Sequence, residues 1–259
     1  MIPAARWSIR RLCELLLLCA VTTTFGEDPV SVLSGILQRL SGINTLHAVV
    51  KRRQTYRNVC RDARGILLYD RATGTRYEWK SPGHYLFFAS DSLLYGIDMN
   101  KRCGWKAGGD RTLRRQTDPL ERLFRLQYID PGMFTYRGNN DSLLFFSFDG
   151  ENGTRSTIGI EPARQRCRII ERFDENHVLL EKTVFFWETV RDTSVLPDAI
   201  IITGMCGSDL AADTIRFCRQ QVDKKVKREE FAIPEGIAWR ENGTGGCLPQ
   251  HQLHPAAGR

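Results

Sequence analysis

Apolar positions first recur at helical spacing. Val30, Leu33, Ile36, Leu37, Leu40 and Ile43 fall on one face of a 3.6-residue period, which predicts a helix over 29–44. Asp28 is placed to cap it, Pro29 suits its first turn, and Gly42 and Asn44 mark its end. The period then changes to two. Strand-like runs occupy 46–56, 65–69, 75–80, 85–89 and 93–99, separated by turn chemistry at 70–74, 81–83 and 90–92. Such spacing predicts a meander of antiparallel strands. A second helical piece starts at Asp118-Pro119 and puts Leu120, Leu123 and Phe124 on one face. It interrupts the β series, which makes it a candidate lid. Strand patterns resume at 143–148, 156–161, 166–173, 177–187, 198–203, 213–222 and 225–231. Beyond residue 241, Gly, Pro and His predict a loose tail. The chain reads as mainly β in one domain spanning 27–241, with no internal repeat.

Alternation sorts the large side chains by face. Leu67, Tyr69 and Arg71 share one face of their strand, and so do Tyr77 and Trp79 of the next. Arg71 ends a face that is otherwise apolar. It reads either as a solvated rim charge or as an arginine holding a lid by hydrogen bonds to backbone carbonyls, a role its fork of donors suits. Phe145-Phe146, with Phe148 beyond, and Phe185-Phe186-Trp187 predict strands covered on both sides.

The first residues change the charge count and the compartment. Arg6, Arg10 and Arg11 precede an apolar run over 12–21 that only Glu14 breaks, and 22–26 are small or polar apart from Phe25. This predicts a cleaved export signal ending at Gly26. An uncleaved anchor is disfavoured because the run is shorter than the ~20 residues of a membrane span. Lipid attachment at Cys19 is disfavoured because Leu18 precedes it. Of the net +7 of the whole chain, removal of 1–26 leaves 34 basic and 29 acidic residues, or +5. The densest basic run, Lys224-Lys225-Val226-Lys227-Arg228, meets Glu229-Glu230 at once and reads as a solvated strand face, so no nucleic-acid partner is expected. Six of the eight cysteines lie beyond the signal: Cys60, Cys103, Cys167, Cys206, Cys218 and Cys247. Export permits disulfides, and the spacing leaves both their pairing and free thiols open.

Chemistry is sparse. No Cys-x-x-Cys pair, nucleophile elbow, phosphate loop or dinucleotide fingerprint occurs, and the histidines are scattered. No metal, cofactor or enzymatic activity is expected, although a hydrolase assembled from distant residues stays open. Asn140, Asn152 and Asn242 head Asn-x-Ser/Thr triplets that read first as turn formers.

Four segments resemble the LolA-type periplasmic carriers and the looser class of outer-membrane lipoprotein-sorting proteins. They are the helix running into Ile43-Asn44-Thr45-Leu46-His47-Ala48; Gly65-x-Leu67 through Arg71, Tyr77 and Trp79 to Pro82; Ser90-Asp91 before Leu94-Tyr95; and Phe231-Ala232-Ile233-Pro234-Glu235-Gly236. Leu196-Pro197 before a strand also fits. Ala72 stands where the family has Pro, and Ser92 where it has Gly. The resemblance implies an incomplete antiparallel β-barrel of about 11 strands, with helices forming a lid over an apolar concave cavity. It implies that Arg71 ties the lid shut when the cavity is empty. The cavity and lid would be lined by Leu33, Ile36, Leu37, Leu40, Leu67, Tyr69, Tyr77, Trp79, Leu120, Leu123, Phe124, Phe146, Phe148, Phe185 and Trp187. It further implies a monomeric carrier of lipoprotein acyl chains, loaded by an inner-membrane ABC exporter and emptied at an outer-membrane acceptor. A carrier or sensor of free lipids, and an ordinary structural envelope protein, are the competing readings.

Overall fold

The computed structural model describes residues 28–57, 59–108, 120–140, 142–150, 153–187, 196–206 and 209–240. The expected signal, Asp118-Pro119, Asn152, Asn242 and the tail lie outside them.

Helix α1 spans Pro29–Gly42, and the Asp28 carboxylate accepts from the Val30 backbone N–H at its start. Its apolar face buries Val32, Leu33, Ile36, Leu37 and Leu40, with Ile43 beyond its end also buried. Val30, on the same predicted face, is instead exposed.

Fourteen strands form one open sheet: β1 Thr45–Tyr56, β2 Val59–Asp70, β3 Gly74–Ser81, β4 Tyr85–Ala89, β5 Leu93–Asp98, β6 Cys103–Gly108, β7 Thr135–Asn139, β8 Leu144–Asp149, β9 Arg155–Glu161, β10 Arg166–Phe173, β11 Leu179–Phe186, β12 Ala199–Cys206, β13 Asp209–Val222 and β14 Ala238–Arg240. Their spatial order is β14-β6-β5-β4-β3-β2-β1-β13-β12-β11-β10-β9-β8-β7. Two meanders, β1–β6 and β7–β13, are joined where β1 pairs antiparallel with β13. All pairings are antiparallel except β14 with β6. The expectation of about 11 strands was too low. The predicted strand at 225–231 is also corrected: residues 224–227 are irregular, and Arg228–Phe231 form a 3-10 turn.

The inner face carries the main core. Along β1, Leu46, Ala48 and Val50 point into it, as do Leu67 and Tyr69 from β2 and Tyr77 and Trp79 from β3. That apolar face stops at a bidentate Arg52–Asp213 pair, whose side chains are 11% and 9% exposed, with the Arg52 guanidinium 5.7 Å from the Trp79 ring. Close strand approach needs Gly65, because a Cβ there would sit 2.3 Å from the Glu78 carbonyl oxygen.

A second cluster lies on the outer face of the first meander. Leu68, Leu86, Phe88, Tyr95 and Ile97 are covered there by Phe231, with Val226, Ile237 and Trp239 packed around them. The segment after β13 thus crosses the back of the sheet as a strap and ends as β14 beside β6.

Cys103 is disulfide-bonded, and Cys60, Cys167 and Cys218 are free thiols. Burial pushes the Cys167 thiol up to about 12, so it stays protonated and unreactive. Maleimide labelling of the native protein is expected to modify exposed Cys60 and to spare Cys167 until denaturant is added. Equal rates at both positions, read by peptide mass mapping, would contradict this burial.

Candidate functional site

α1 packs on the inner face, where its buried side chains share one apolar cluster with strands of both meanders. Its companion is a short segment on the crossover between them: α2, Glu121–Phe124, followed by the 3-10 turns Arg125–Tyr128 and Pro131–Met133. α2 is four residues long because the chain tightens at once into 3-10 geometry. Leu120, Leu123, Phe124 and Leu126 are buried against the same cluster as the α1 face.

Every apolar residue expected in the cavity or lid joins this one cluster. Leu33, Ile36, Leu37, Leu40, Leu67, Tyr69, Tyr77, Trp79, Leu120, Leu123, Phe124, Phe146 and Phe185 are buried, and Phe148 and Trp187 pack on it partly exposed. Tyr69 stacks on Phe124 at 4.6 Å, which joins sheet to α2. Helical side chains therefore cover the apolar inner face that the strands present.

Arg71 stands where α1, the sheet and the crossover segment meet. Its Nη2 is directed at the carbonyl oxygens of Leu40 (3.5 Å), Ser41 and Ile43 (2.9 Å), and at Gln127 Oε1 (3.1 Å). The carbonyls at a helix C-terminus lack intrahelical donors and carry partial negative charge, so a guanidinium there satisfies both. Tyr69 hydrogen-bonds Arg71 and Gln127, while burial raises its phenol above the usual range. One side chain from the end of β2 thus contacts both helical pieces.

A cleft of about 480 Å³ opens beside α2, within the size range of about 300–1,000 Å³ usual for ligand pockets. One wall is the segment carrying Arg122, Arg125, Leu126, Tyr128, Ile129 and Met133. The other is a row across four strands, Phe148–Ser156–Arg172–Glu181, with Ile170 behind it. Tyr128 and Met133 are 67% and 58% exposed at its rim. Arg122 donates two hydrogen bonds of 2.7 Å to the Glu181 carboxylate and so fastens α2 to β11. Among the described residues no cluster of His, Cys, Asp or Glu has the geometry to hold a metal ion, and no helix is long and apolar enough to cross a membrane.

Gln127, the Arg122–Glu181 pair and the charged end of the cleft were missed by the sequence reading. A signal for the pair was present: alternation puts Glu181 on the same face as Phe185, and a carboxylate on a buried face requires a cation. No sequence signal pointed to Gln127, whose position depends on the 3-10 turn.

No protein-family model and no curated protein matches the chain by sequence. Solved structures do match it by shape. An outer-membrane lipoprotein-sorting protein domain from Vibrio parahaemolyticus aligns over 78% of this chain and 95% of its own, with a TM-score of 0.56 at 10% identity. A LolA superfamily protein from Nitrosomonas europaea aligns over 78% and 97%, with a TM-score of 0.56 at 10% identity. A DUF1329 family protein from Desulfovibrio piger aligns over 80% and 98%, with a TM-score of 0.59 at 9% identity. The likeness read from four sequence segments thus holds at the level of architecture: this chain has the fold of the LolA superfamily and of outer-membrane lipoprotein-sorting domains.

Proposed function

We propose that the protein is an exported carrier that shelters the acyl chains of lipoproteins between its concave sheet and the α1–α2 lid. The observation that supports this best is the Arg71 contact with the carbonyl end of α1 and with Gln127. A lid needs a reversible fastening, and hydrogen bonds at a solvent-accessible helix end are reversible, unlike a continuous core. The apolar side chains that α1 and α2 place on the sheet stand in for cargo in the empty state. An acyl chain would replace them as the lid lifts, and the cleft beside α2 is the natural point of entry.

The energetics fit such a task. Each acyl CH₂ left in water costs about 0.8 kcal/mol, so a chain of about 16 carbons strands roughly 10 kcal/mol. A carrier must cover that surface and still release it. A lid that favours closure when empty lowers net affinity by the free energy of opening, which keeps transfer reversible. On this reading the carrier works in the periplasm, receives lipoproteins from an inner-membrane ABC exporter and delivers them to an outer-membrane acceptor. No cofactor or covalent step is involved.

Native mass spectrometry of the protein purified from a Gram-negative periplasm tests the reading. Bound lipopeptide, displaced by a hydrophobic probe, is the expected result. Bound free lipid instead would move the role to a carrier or sensor of lipids. A clean mass with no probe uptake would leave only the fold.

Arg71→Leu tests the fastening. Hydrogen bonds to a charged donor contribute about 1.5–3 kcal/mol each when sheltered, and partial exposure here brings the total to about 2 kcal/mol. A fluorescent fatty acid is expected to bind about 30-fold more tightly, and its transfer to acceptor vesicles to slow by a similar factor. Unchanged titration and stopped-flow transfer would remove the gating role.

A further inference from the structure

The strand wall of the cleft beside α2 carries a buried cationic donor that the fold leaves unmet. Arg172 of β10 lies in register between Ser156 of β9 and Glu181 of β11, and all three line the cleft. The Arg172 Nε–H is buried with no hydrogen-bond partner. Both oxygens of the neighbouring Glu181 carboxylate are engaged by Arg122 at 2.7 Å. Asp149 is the other carboxylate among the described lining residues. It follows Phe148 on β8 and so alternates to the outer face, where it is 77% exposed and accepts from Arg155 at 3.0 Å.

Thr183 supplies a second unmet group. It stands diagonal to Arg172, two residues beyond Glu181 on the same face of β11 and opposite Ile170. Thr183 is 0% exposed, and its Oγ1 has no hydrogen-bond partner. Diagonal positions lie about 7–8 Å apart, a gap that one small anionic group spans when a long arginine reaches in from one side. Leaving a buried donor unmet costs free energy, and more so on a cation, so folding does not explain two of them on neighbouring strands. Around them the cleft is apolar, with Leu126, Ile129 and Met133 on the lid side and Phe148 and Ile170 on the sheet. A cationic donor and a hydroxyl in an apolar cleft are the chemistry that receives an amphiphile with an oxyanion head.

We propose that this cleft binds a lipid carrying a carboxylate or phosphate, with the oxyanion held by Arg172 and Thr183 and the acyl chain on the apolar walls. The site rests on the carrier reading for its acyl chain and on the two unmet donors for its oxyanion.

Titration of the protein with a fluorescent fatty acid and with its methyl ester is the test. An ordinary apolar cavity favours the ester, because the carboxylate loses its water on entry. The parent is expected to reverse that order and bind the acid about tenfold more tightly, the effect of one charge-assisted hydrogen bond at a partly open site. Arg172→Gln should abolish the preference at an unchanged or raised urea midpoint, since it removes a buried cation without an acceptor. Arg172→Lys keeps the charge without the fork and should retain about a threefold preference; it decides alone if the glutamine variant does not fold. Thr183→Val removes the hydroxyl at constant shape and should lower the preference about threefold without loss of stability. Met133→Ser, at the rim, should weaken acid and ester alike, and Lys224→Gln with Lys225→Gln, exposed charges outside the cleft, should change neither. Lysophosphatidic acid against monoacylglycerol of the same chain repeats the comparison with a phosphate, and the larger Arg172-dependent preference identifies the headgroup. Ester bound as tightly as acid, together with monoacylglycerol bound as tightly as lysophosphatidic acid, overturns the oxyanion site and leaves the carrier reading in place, as does a preference that survives Arg172→Gln. An Arg172-dependent preference in a protein that carries no lipopeptide keeps the site and overturns the lipoprotein reading. Binding of neither member of either pair overturns the site.

Discussion

Arg122→Ala is expected to lower the stability of the folded chain by about 3 kcal/mol, at the low end of the range for a broken buried ion pair. The Arg122 side chain is 8% exposed and the Glu181 side chain 20%, and two 2.7 Å hydrogen bonds join them. Truncating the arginine leaves a carboxylate on the inner face without that cation, and the cost is the desolvation of the stranded charge more than the loss of the pair. Urea unfolding should show the loss as a lower midpoint at unchanged slope. Two companions separate charge from packing. Arg122→Ala with Glu181→Leu removes both charges and should recover most of the loss. Arg122→Lys keeps the charge but not the fork, and should cost about 1 kcal/mol. If the double variant is no more stable than Arg122→Ala, the stranded carboxylate is not the cause. The pair also fastens α2 to β11, so the single variant should admit an apolar probe to the cleft more readily than the parent.

The strands legible in the sequence are those with at least one face buried and a turn signal at each end. Gly74, Pro82 and Ser90-Asp91 bound β3 and β4; alternation within β3 matches its burial, while β4 is an apolar run buried on both faces. α1 was legible because its stripe, its cap and its end agree. Where burial is absent, so is the pattern. β7 is exposed on nearly every residue, and the distal half of β2 is polar and largely exposed, so only ladder hydrogen bonds define them. β6 reads as Cys-Gly-Trp-Lys-Ala-Gly, with little β propensity. It pairs because Gly96 leaves room for the Trp105 indole, whose Nε1 would lie 2.5 Å from a Cβ there.

The segment at 225–231 was misread because Val226 and Phe231 do meet apolar surface, as a strand's inward residues would. They meet it on the back of the sheet. Within the candidate site, the apolar members were legible from periodicity and Arg71 from its place at the end of a face. The polar members were not, since a side chain's partner is a fact of tertiary geometry.

Phe231→Ala is expected to destabilise the protein by about 3–4 kcal/mol, the range for removing a buried phenyl ring. Phe231 is 7% exposed, and its ring meets Phe88 edge-on at 6.2 Å. Around it the strap is tied by its backbone. The Tyr95 hydroxyl donates to the Phe231 carbonyl at 3.3 Å, Arg76 donates to the Glu230 carbonyl, and Arg102 donates to the Glu235 carbonyl at 2.6 Å. Burial raises the Tyr95 phenol to about 12, so it remains a donor at any ordinary pH. Gly236 adopts φ +69°, and a Cβ there would lie 2.8 Å from the Arg102 guanidinium. The Phe-x-x-Pro-x-Gly sequence is therefore a clamp: an anchor ring, a turn, and a glycine that lets arginine reach the chain. Ile233→Ala, at a position 39% exposed, should cost under about 1 kcal/mol and serves as the control. Hydrogen exchange adds a directional test. In Phe231→Ala, amides of 228–240 should lose protection first, followed by β5 and β6, while α1 and β8–β12 keep theirs relative to global unfolding. A stability loss below about 1 kcal/mol, or uniform loss of protection across both meanders, would show that the strap is an accessory to the sheet and not part of its second core.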